Sequence, residues 1–290
     1  MRVLIAGCGY VGSHLAHRLT DQSHSVCALV RRPDAAASLQ QAGVDARVVD
    51  VDSPLDLSLC VATDKLVYLI PPPASGREDS RSRHFLAALP PGQLEQVVLI
   101  STTGVYGDCS GNWIDESRPL NPTADRAHRR VDAECQWEAW TARHGIKLCT
   151  LRVSGIYGWD RLPRARLEEA RPVLTVAESP FSNRIHVKDL VDICIAALTR
   201  SASGVFNVAD NEPSTMTAYF LAVAEALGLP PPPQISLADA RRVMSAGMLS
   251  YLTESRRIDN RKVRLLLDRE LSYPDLASGL AGVRNGPPER

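Results

Sequence analysis

Short apolar segments recur along the first half of the chain and alternate with segments of helical periodicity. The first, residues 2–6, contains β-branched residues and ends at a glycine, which is typical of a buried strand. Val11, Leu15 and Leu19 then recur every four residues, so they predict a helix with one apolar face. Further strands are predicted at residues 25–30, 48–49, 66–70, 97–100 and 147–152.

Helical patterns lie between several of these strands, around residues 80–89 and 128–143. Strands that alternate with helices pair in parallel, so the chain is predicted to be an α/β protein with a doubly wound parallel sheet. We assign residues 1–152 to this domain and residues 153–290 mainly to a smaller C-terminal region. An apolar helix over residues 185–200 is expected to return and pack on the first domain.

Gly7, Gly9 and Gly12 form the pattern GxGxxG between the first predicted strand and the first helix. In this position the pattern is the fingerprint of a dinucleotide site, so residues 1–152 are predicted to be an NAD(P)-binding Rossmann-type domain. Gly7 permits the tight turn, Gly9 lets a pyrophosphate approach the backbone, and Gly12 lets the helix pack on the sheet. Tyr10 and Val11 begin the helix, whose free N–H groups would face the phosphates. The alternative is a glycine turn without a ligand.

The residues after the second strand distinguish the two nicotinamide cofactors. NAD-preferring sites usually carry an acidic residue here, whereas this chain has Arg31 and Arg32. Two guanidinium groups can hold the 2′-phosphate of NADP, so we predict NADP as the cofactor, with NAD as the other option. Alternatively, Arg31 and Arg32 are solvated loop residues.

Residues that follow the third and fourth predicted strands complete the predicted cofactor site. Asp50 either accepts a hydrogen bond from the adenine amino group or is an ordinary turn residue, and the sequence favours neither. Val51 and Pro71 follow strands and Ile70 ends one, all at the same edge of the sheet, so they are also assigned to the cofactor site.

The segment Ile100–Asp108 and the spacing of Glu116, Pro119 and Pro122 after it resemble the extended short-chain dehydrogenase/reductase superfamily, in its epimerase/dehydratase group. Three later segments agree in the same order, namely residues 151–158, 184–190 and 206–209. The resemblance implies an oxidoreductase or epimerase-like enzyme that acts on a small molecule, with the C-terminal region as its substrate region. It also implies a homodimer through the helices near 80–89 and 128–143.

The resemblance implies a catalytic Ser or Thr together with a Tyr and a Lys four residues apart. Thr102 occupies the first position, where its hydroxyl would bind a substrate oxygen or, alternatively, only the backbone. The Tyr and Lys positions hold Arg126 and Arg130. Arginine stays protonated, so Arg126 cannot transfer the proton, while Arg130 can supply positive charge near the nicotinamide ribose. Tyr106 is the candidate replacement, expected to face the cleft and carry the proton, although related enzymes commonly use this tyrosine for packing.

Two interpretations therefore stay open. The intact glycine loop and Thr102 favour an NADP-dependent oxidoreductase or epimerase-like enzyme with an unusual acid or base. The absent Tyr–Lys pair favours a catalytically inactive NADP(H)-binding redox sensor or regulatory protein. Gly155 stands where many related sugar-nucleotide enzymes carry an asparagine, which argues against a nucleotide-sugar substrate.

Composition excludes several classes of partner. The 33 Lys and Arg residues balance 33 Asp and Glu residues, so no net basic field attracts nucleic acid or an anionic membrane. The seven cysteines show no CxxC spacing, and we expect neither a disulfide framework nor a zinc site. No apolar run reaches about 18 residues, so we expect a cytoplasmic protein without a transmembrane helix. The last seven residues are predicted to be a disordered tail.

Overall fold

The computed structural model describes residues 1–58 and 62–283. The strands are β1 (Arg2–Ala6), β2 (Ser25–Val30), β3 (Asp45–Val48), β4 (Lys65–Tyr68), β5 (Gln96–Thr102), β6 (Trp113–Ile114), β7 (Lys147–Val153), β8 (Gly155–Tyr157), β9 (Val173–Leu174), β10 (Phe181–Ser182), β11 (Arg184–His186), β12 (Gly204–Val208), β13 (Ser214–Thr215), β14 (Gln234–Ile235) and β15 (Arg257–Ile258). The predicted disordered tail, residues 284–290, and Cys60 lie outside the described residues.

Helices lie between and after these strands. They are α1 (Tyr10–Asp21), α2 (Pro33–Gln41), α3 (Ser80–Ala88), α4 (Asp125–His144), α5 (Arg164–Glu168), α6 (Val187–Thr199), α7 (Met216–Leu227), α8 (Leu237–Val243), α9 (Ala246–Leu252), α10 (Arg261–Leu267) and α11 (Leu276–Leu280). Two 3₁₀ helices lie at Thr103–Tyr106 and Trp159–Arg161. Over residues 1–58 and 62–283, no helix combines the length and the apolar character needed to cross a membrane.

Seven parallel strands form the central sheet, in the order β12-β7-β5-β4-β1-β2-β3. The chain builds one half outward from β1 and the other half outward from β4, so the strand order reverses between these two neighbours. Ligands of such sheets bind at this switch point, beyond the carboxyl ends of the strands. The predicted Rossmann-type doubly wound parallel sheet is confirmed.

Both faces of the sheet are covered by apolar helices. Alternate residues of β1 point to opposite faces, with Val3 and Ile5 in one core cluster and Leu4 in the other. The first cluster also contains residues of α1, α6 and α10, and the second contains residues of α3 and α4. Residues after 153 therefore supply two of the helices that pack on the sheet, α6 and α10. They also supply one strand of the sheet, β12.

Strand β12 was missed by the reasoning from apolar periodicity. Asn207, the fourth of its five residues, is completely buried, and a buried polar residue interrupts the apolar run that marks such strands. The side chain of Asn207 accepts a hydrogen bond from the Tyr106 hydroxyl at 2.8 Å, and its backbone N–H donates to Glu116 at 2.7 Å. These partners lie about a hundred residues away, so local sequence carries no signal for them.

Small two-stranded sheets fasten the C-terminal region to the loops that follow the central strands. Strand β6, after β5, pairs with β15, and β8, after β7, pairs with β11. The central strands are parallel, so their carboxyl ends share one edge of the sheet. These pairings hold the C-terminal region against that edge.

Candidate functional site

The three glycines after β1 have different structural roles. Gly7 has φ +87°, and a Cβ there would come within 2.7 Å of the backbone nitrogen of Ile70. A Cβ at Gly12 would lie 3.2 Å from the carbonyl oxygen of Gly7, so α1 approaches the loop closely. A Cβ at Gly9 would meet no atom within 4 Å. Packing therefore requires glycine at 7 and 12, whereas Gly9 opens onto empty space.

Helix α1 points its amino terminus into that space. Gly9 is its N-cap and, among the described residues, no side chain caps the helix. The first N–H groups of a helix have no partner within it, and this end of the helix dipole is positive. Tyr10, Val11 and Gly12 begin the helix, so their N–H groups are positioned for an anion. The loop thus fits the pyrophosphate of a dinucleotide.

A groove of about 630 Å³ runs past this loop, and we call it the glycine-loop groove. Eleven of the predicted cofactor residues line it: Gly7, Gly9, Tyr10, Val11, Gly12, Arg31, Arg32, Val51, Ile70, Pro71 and Arg130. Asp50 is not among the lining residues. Its carboxylate accepts the backbone N–H of Asp52 at 3.1 Å, as a turn residue does.

Positive charge dominates the groove around the end of β2. Arg31 and Arg32 are exposed, and Arg32 lies 3.4 Å from the carboxylate of Asp34. Asp52 and Arg81, which sequence reasoning missed, also line the groove and form a paired contact at 2.8 and 2.6 Å. The hydrogen bond from Arg81 holds the pKa of Asp52 below its usual range, with a smaller contribution from the charge of Arg31.

A further cation reaches the groove from the C-terminal region. The guanidinium carbon of Arg161 lies 4.7 Å from the ring centre of Tyr10, and Arg161 lines the groove. The Tyr10 hydroxyl donates to Asp160 at 2.6 Å. Burial, and then this hydrogen bond, raise the pKa of Tyr10. The 3₁₀ helix at Trp159–Arg161 therefore packs on the start of α1 and brings a charge beside the predicted phosphate site.

A second cavity of about 480 Å³ adjoins the groove, because Arg130 and Ile156 line both. We call it the arginine-lined cavity. Its charged lining residues are Arg126, Arg130, Arg184, Glu254 and Arg256. Its aromatic and apolar walls include Ile156, Phe181, Met216, Tyr219 and Tyr251. Thr102 lies in its lining, at the carboxyl end of β5.

Thr102 makes a local contact and also faces this cavity. Its Oγ1 accepts the backbone N–H of Gly104 at 3.2 Å and thereby caps the 3₁₀ helix that follows β5. The hydroxyl acts as an acceptor in this bond, so its own proton is available to a second partner. The two interpretations of Thr102, backbone contact and ligand contact, are compatible.

The expectation that Tyr106 faces the cleft is wrong. Its side chain is completely buried and lines neither cavity. The hydroxyl accepts a hydrogen bond from Arg152 at 2.9 Å and donates to Asn207 at 2.8 Å. The 3₁₀ helix after β5 directs the Tyr106 side chain into a core cluster that contains Val105 and Ile114. Burial raises the pKa of Tyr106.

Two arginines occupy the positions at which the resemblance implies Tyr and Lys. Arg126 stacks on Tyr251, with 3.7 Å between its guanidinium carbon and the ring centre, and hydrogen bonds to Ser250. Arg130 donates to the carbonyl oxygen of Ile100 at 3.1 Å. Burial lowers the pKa of Arg130, but an arginine remains cationic in a protein. This side of the cavity can stabilise negative charge but cannot accept a proton.

Comparison with known proteins gives the family. The profile of the family described as NAD(P)H-binding matches residues 7–201, which include the glycine loop, Arg31, Arg32 and Thr102. The chain belongs to this NAD(P)H-binding family. The assignment agrees with the fit of the glycine-loop groove to a dinucleotide.

Two proteins similar to this NAD(P)H-binding protein match it over nearly their whole length. A 3-diazoavenalumate denitrifying reductase of a Streptomyces species is 26% identical, over 97% of this chain and 99% of the relative. A conserved protein of unknown function from Silicibacter pomeroyi has a solved structure with TM-score 0.84 and 29% identity, over 98% of both chains.

The similar solved structures also include UDP-sugar 4-epimerases. UDP-glucuronic acid 4-epimerase from Bacillus cereus, solved with NAD, has TM-score 0.77 and 19% identity, with 97% of this chain and 96% of that chain covered. At this identity the likeness establishes the shared fold. The resemblance drawn from the sequence motifs is confirmed.

Proposed function

We propose that this protein is an NADPH-dependent reductase that acts on a small molecule bound in the arginine-lined cavity. The supporting observation is that this cavity and the glycine-loop groove adjoin at Arg130 and Ile156, with Thr102 in the cavity wall. The bound cofactor supplies a hydride. A substrate in the cavity lies next to the part of the groove that is lined by Arg130.

The groove residues hold the cofactor by charge and by backbone donors. Arg31 and Arg32 bind the 2′-phosphate, and the amino terminus of α1 beside Gly9 binds the pyrophosphate. Arg161 adds positive charge next to this terminus. These residues orient the cofactor and leave the end of the groove near Arg130 for the reacting ring.

The cavity residues favour reduction over epimerisation. Epimerisation oxidises a sugar hydroxyl and then reduces it again, so it needs a group that both accepts and returns the proton, and neither Arg126 nor Arg130 can do so. Reduction instead places negative charge on the substrate, which the two guanidinium groups stabilise and the Thr102 hydroxyl binds by hydrogen bonding. Water then supplies the proton. The name of the Streptomyces relative, a reductase, supports this direction, and no observation on the described residues favours a redox sensor.

NADPH is expected to bind at least about 10-fold more tightly than NADH, because hydrogen bonds between charged groups contribute about 1.5–3 kcal/mol each. Fluorescence titration with both cofactors measures this ratio. The double variant Arg31→Ala/Arg32→Ala is expected to bring the two affinities within about 3-fold. Arg143→Gln, which removes an exposed cation of α4 that lines neither cavity, is the control and should keep the ratio. Equal affinities in the wild-type protein, or a preference for NADH, contradict the proposal.

Thr102→Ala is expected to lower kcat by about 100-fold, as the loss of one donor to developing negative charge does elsewhere. The affinity for NADPH should stay within 2-fold, since Thr102 lines only the arginine-lined cavity. Turnover is followed as loss of NADPH absorbance with a substrate that the wild-type protein reduces. Thr102→Ser, which keeps the hydroxyl and the cap to Gly104, is the control. An unchanged rate in Thr102→Ala removes Thr102 from the mechanism.

A further inference from the structure

The arginine-lined cavity carries an excess of positive charge. Arg126, Arg130, Arg184 and Arg256 line it, and Glu254 is the one carboxylate among its described lining residues. Glu254 is occupied, since its oxygens lie 2.9 Å from Arg256, 2.9 Å from the Thr123 hydroxyl and 3.9 Å from Arg126. Burying a charge without a counter-charge is unfavourable, so Arg130 and Arg184, which do not pair with Glu254, favour an anionic ligand.

Arg184 is the most deeply buried of these cations, with 8% of its surface exposed. One guanidinium nitrogen donates to the carbonyl oxygen of Asn183 at 2.9 Å, and another lies 3.2 Å from the sulfur of Met216. The group stacks 4.3 Å from the ring centre of Tyr219. In the described part of the chain, no carboxylate oxygen lies within 4.0 Å of it. Guanidinium has five donors, and those not used here can bind a ligand.

Asp210 is the acidic residue whose charge acts on Arg184, and it is not a lining residue of either cavity. Its carboxyl group is almost completely buried, and both oxygens lack a hydrogen-bond partner among the described residues. Burial raises the pKa of Asp210 to about 8. Neither oxygen of Asp210 hydrogen-bonds to Arg184, so the guanidinium donors of Arg184 stay available to a ligand.

Gly155 provides the space in which the Arg184 side chain lies. A Cβ at position 155 would come within 3.0 Å of an Arg184 guanidinium nitrogen and 3.2 Å of its Cδ. An asparagine here, as in many related sugar-nucleotide enzymes, would collide with the guanidinium group. Glycine at 155 and arginine at 184 together place a cation in the cavity wall where those enzymes present an amide.

We propose that Arg184 binds the carboxylate of a small organic acid, in a subsite of the arginine-lined cavity. The forked guanidinium group matches a carboxylate in a two-point contact. Phe181, Met216 and Tyr219 offer the acid an apolar, aromatic surface. Arg184 lines only this cavity, so the carboxylate lies away from the groove and the reacting end points toward Arg130. The subsite rests on the proposed reductase function and gives its substrate a chemical class.

Cinnamate and its uncharged analogue cinnamamide test the subsite by isothermal titration into the wild-type protein with NADP⁺. Cinnamate is expected to bind at least about 10-fold more tightly than cinnamamide, a difference of about 1.4 kcal/mol. Arg184→Gln should abolish this difference, and Arg184→Lys, which keeps the charge but loses the fork, should restore part of it. The control Arg143→Gln should bind both as the wild-type protein does.

Three outcomes would contradict the proposed subsite. They are equal affinities for cinnamate and cinnamamide, no saturable binding of either ligand, and tighter binding of UDP-glucose than of cinnamate. The comparison of the two ligands in the wild-type protein needs no variant, so a folding defect in Arg184→Gln leaves the test intact. NADPH titration of the same samples separates the two proposals. Normal NADPH binding without discrimination for cinnamate overturns the subsite alone, whereas loss of NADPH binding overturns the proposed reductase.

Discussion

Replacing Gly9 with aspartate is expected to lower the affinity for NADPH by at least about 100-fold while the protein stays folded. A Cβ at this position meets no atom within 4 Å, so the new side chain enters the glycine-loop groove without a clash. Aspartate is a favourable N-cap, and its carboxylate would accept N–H bonds from the first turn of α1. This carboxylate would then fill the space and use the N–H donors that the pyrophosphate needs. Its negative charge would also repel the pyrophosphate.

Fluorescence titration with NADPH measures this loss, and thermal unfolding checks the fold. The matched control is Ala124→Asp, which places a carboxylate at the N-cap of α4, where no described side chain caps the helix. The control should bind NADPH like the wild-type protein, and neither variant should lose stability. Unchanged NADPH affinity in Gly9→Asp means that the phosphates bind elsewhere.

The free energy of unfolding is expected to fall by about 1.5 kcal/mol between pH 6.5 and pH 8, because of Asp210. Burial raises the pKa of this carboxyl group from 3.8 to about 8 in the folded protein. The folded state therefore holds a proton that the unfolded state has already released. Raising the pH removes that proton from the folded state and weakens folding.

His186 has the opposite effect at lower pH. Burial lowers its pKa from 6.5 to about 4, so below pH 6.5 the unfolded state binds a proton that the folded state does not. Its Nδ1 accepts the backbone N–H of Lys188 at 3.3 Å, which fits a neutral ring that caps α6. Between pH 4 and pH 6.5, the effects of Asp210 and His186 on the free energy of unfolding change with pH in opposite directions and cancel. Above pH 6.5, the effect of Asp210 acts alone.

Urea unfolding at several pH values from 5 to 8 measures this profile. Asp210→Asn should remove the decline above pH 6.5, because the amide does not ionise. Asp21→Asn, which changes an exposed carboxylate at the end of α1, should keep the decline. A wild-type protein whose stability is constant from pH 6.5 to pH 8 would mean that Asp210 is ionised in the folded state.

The sequence predicted the elements and site residues whose determinants are local. Gly7 and Gly9 lie in the turn between β1 and α1, and Gly12 lies in the first turn of α1, so their spacing alone indicates the loop geometry. Arg31 and Arg32 follow a strand directly, which places them at the same edge of the sheet. Such features depend on backbone geometry over a few residues, and the periodicity of the chain reports that geometry.

Features that depend on distant packing were missed. Arg161 reaches the ring of Tyr10 from the C-terminal region, and Arg81 reaches Asp52 from α3. The direction of Tyr106 depends on a 3₁₀ helix and on buried partners in β7 and β12. No local pattern specifies these contacts, because each joins residues that are far apart in the sequence.

A crystal structure of the protein soaked with NADPH tests most directly whether the glycine-loop groove and the arginine-lined cavity form one site. The expected complex has the pyrophosphate at the amino terminus of α1 and the 2′-phosphate on Arg31 and Arg32. Its nicotinamide ring lies where Arg130 and Ile156 line both cavities. A nicotinamide ring directed away from the arginine-lined cavity, or a 2′-phosphate that contacts neither arginine, would contradict the proposed reductase.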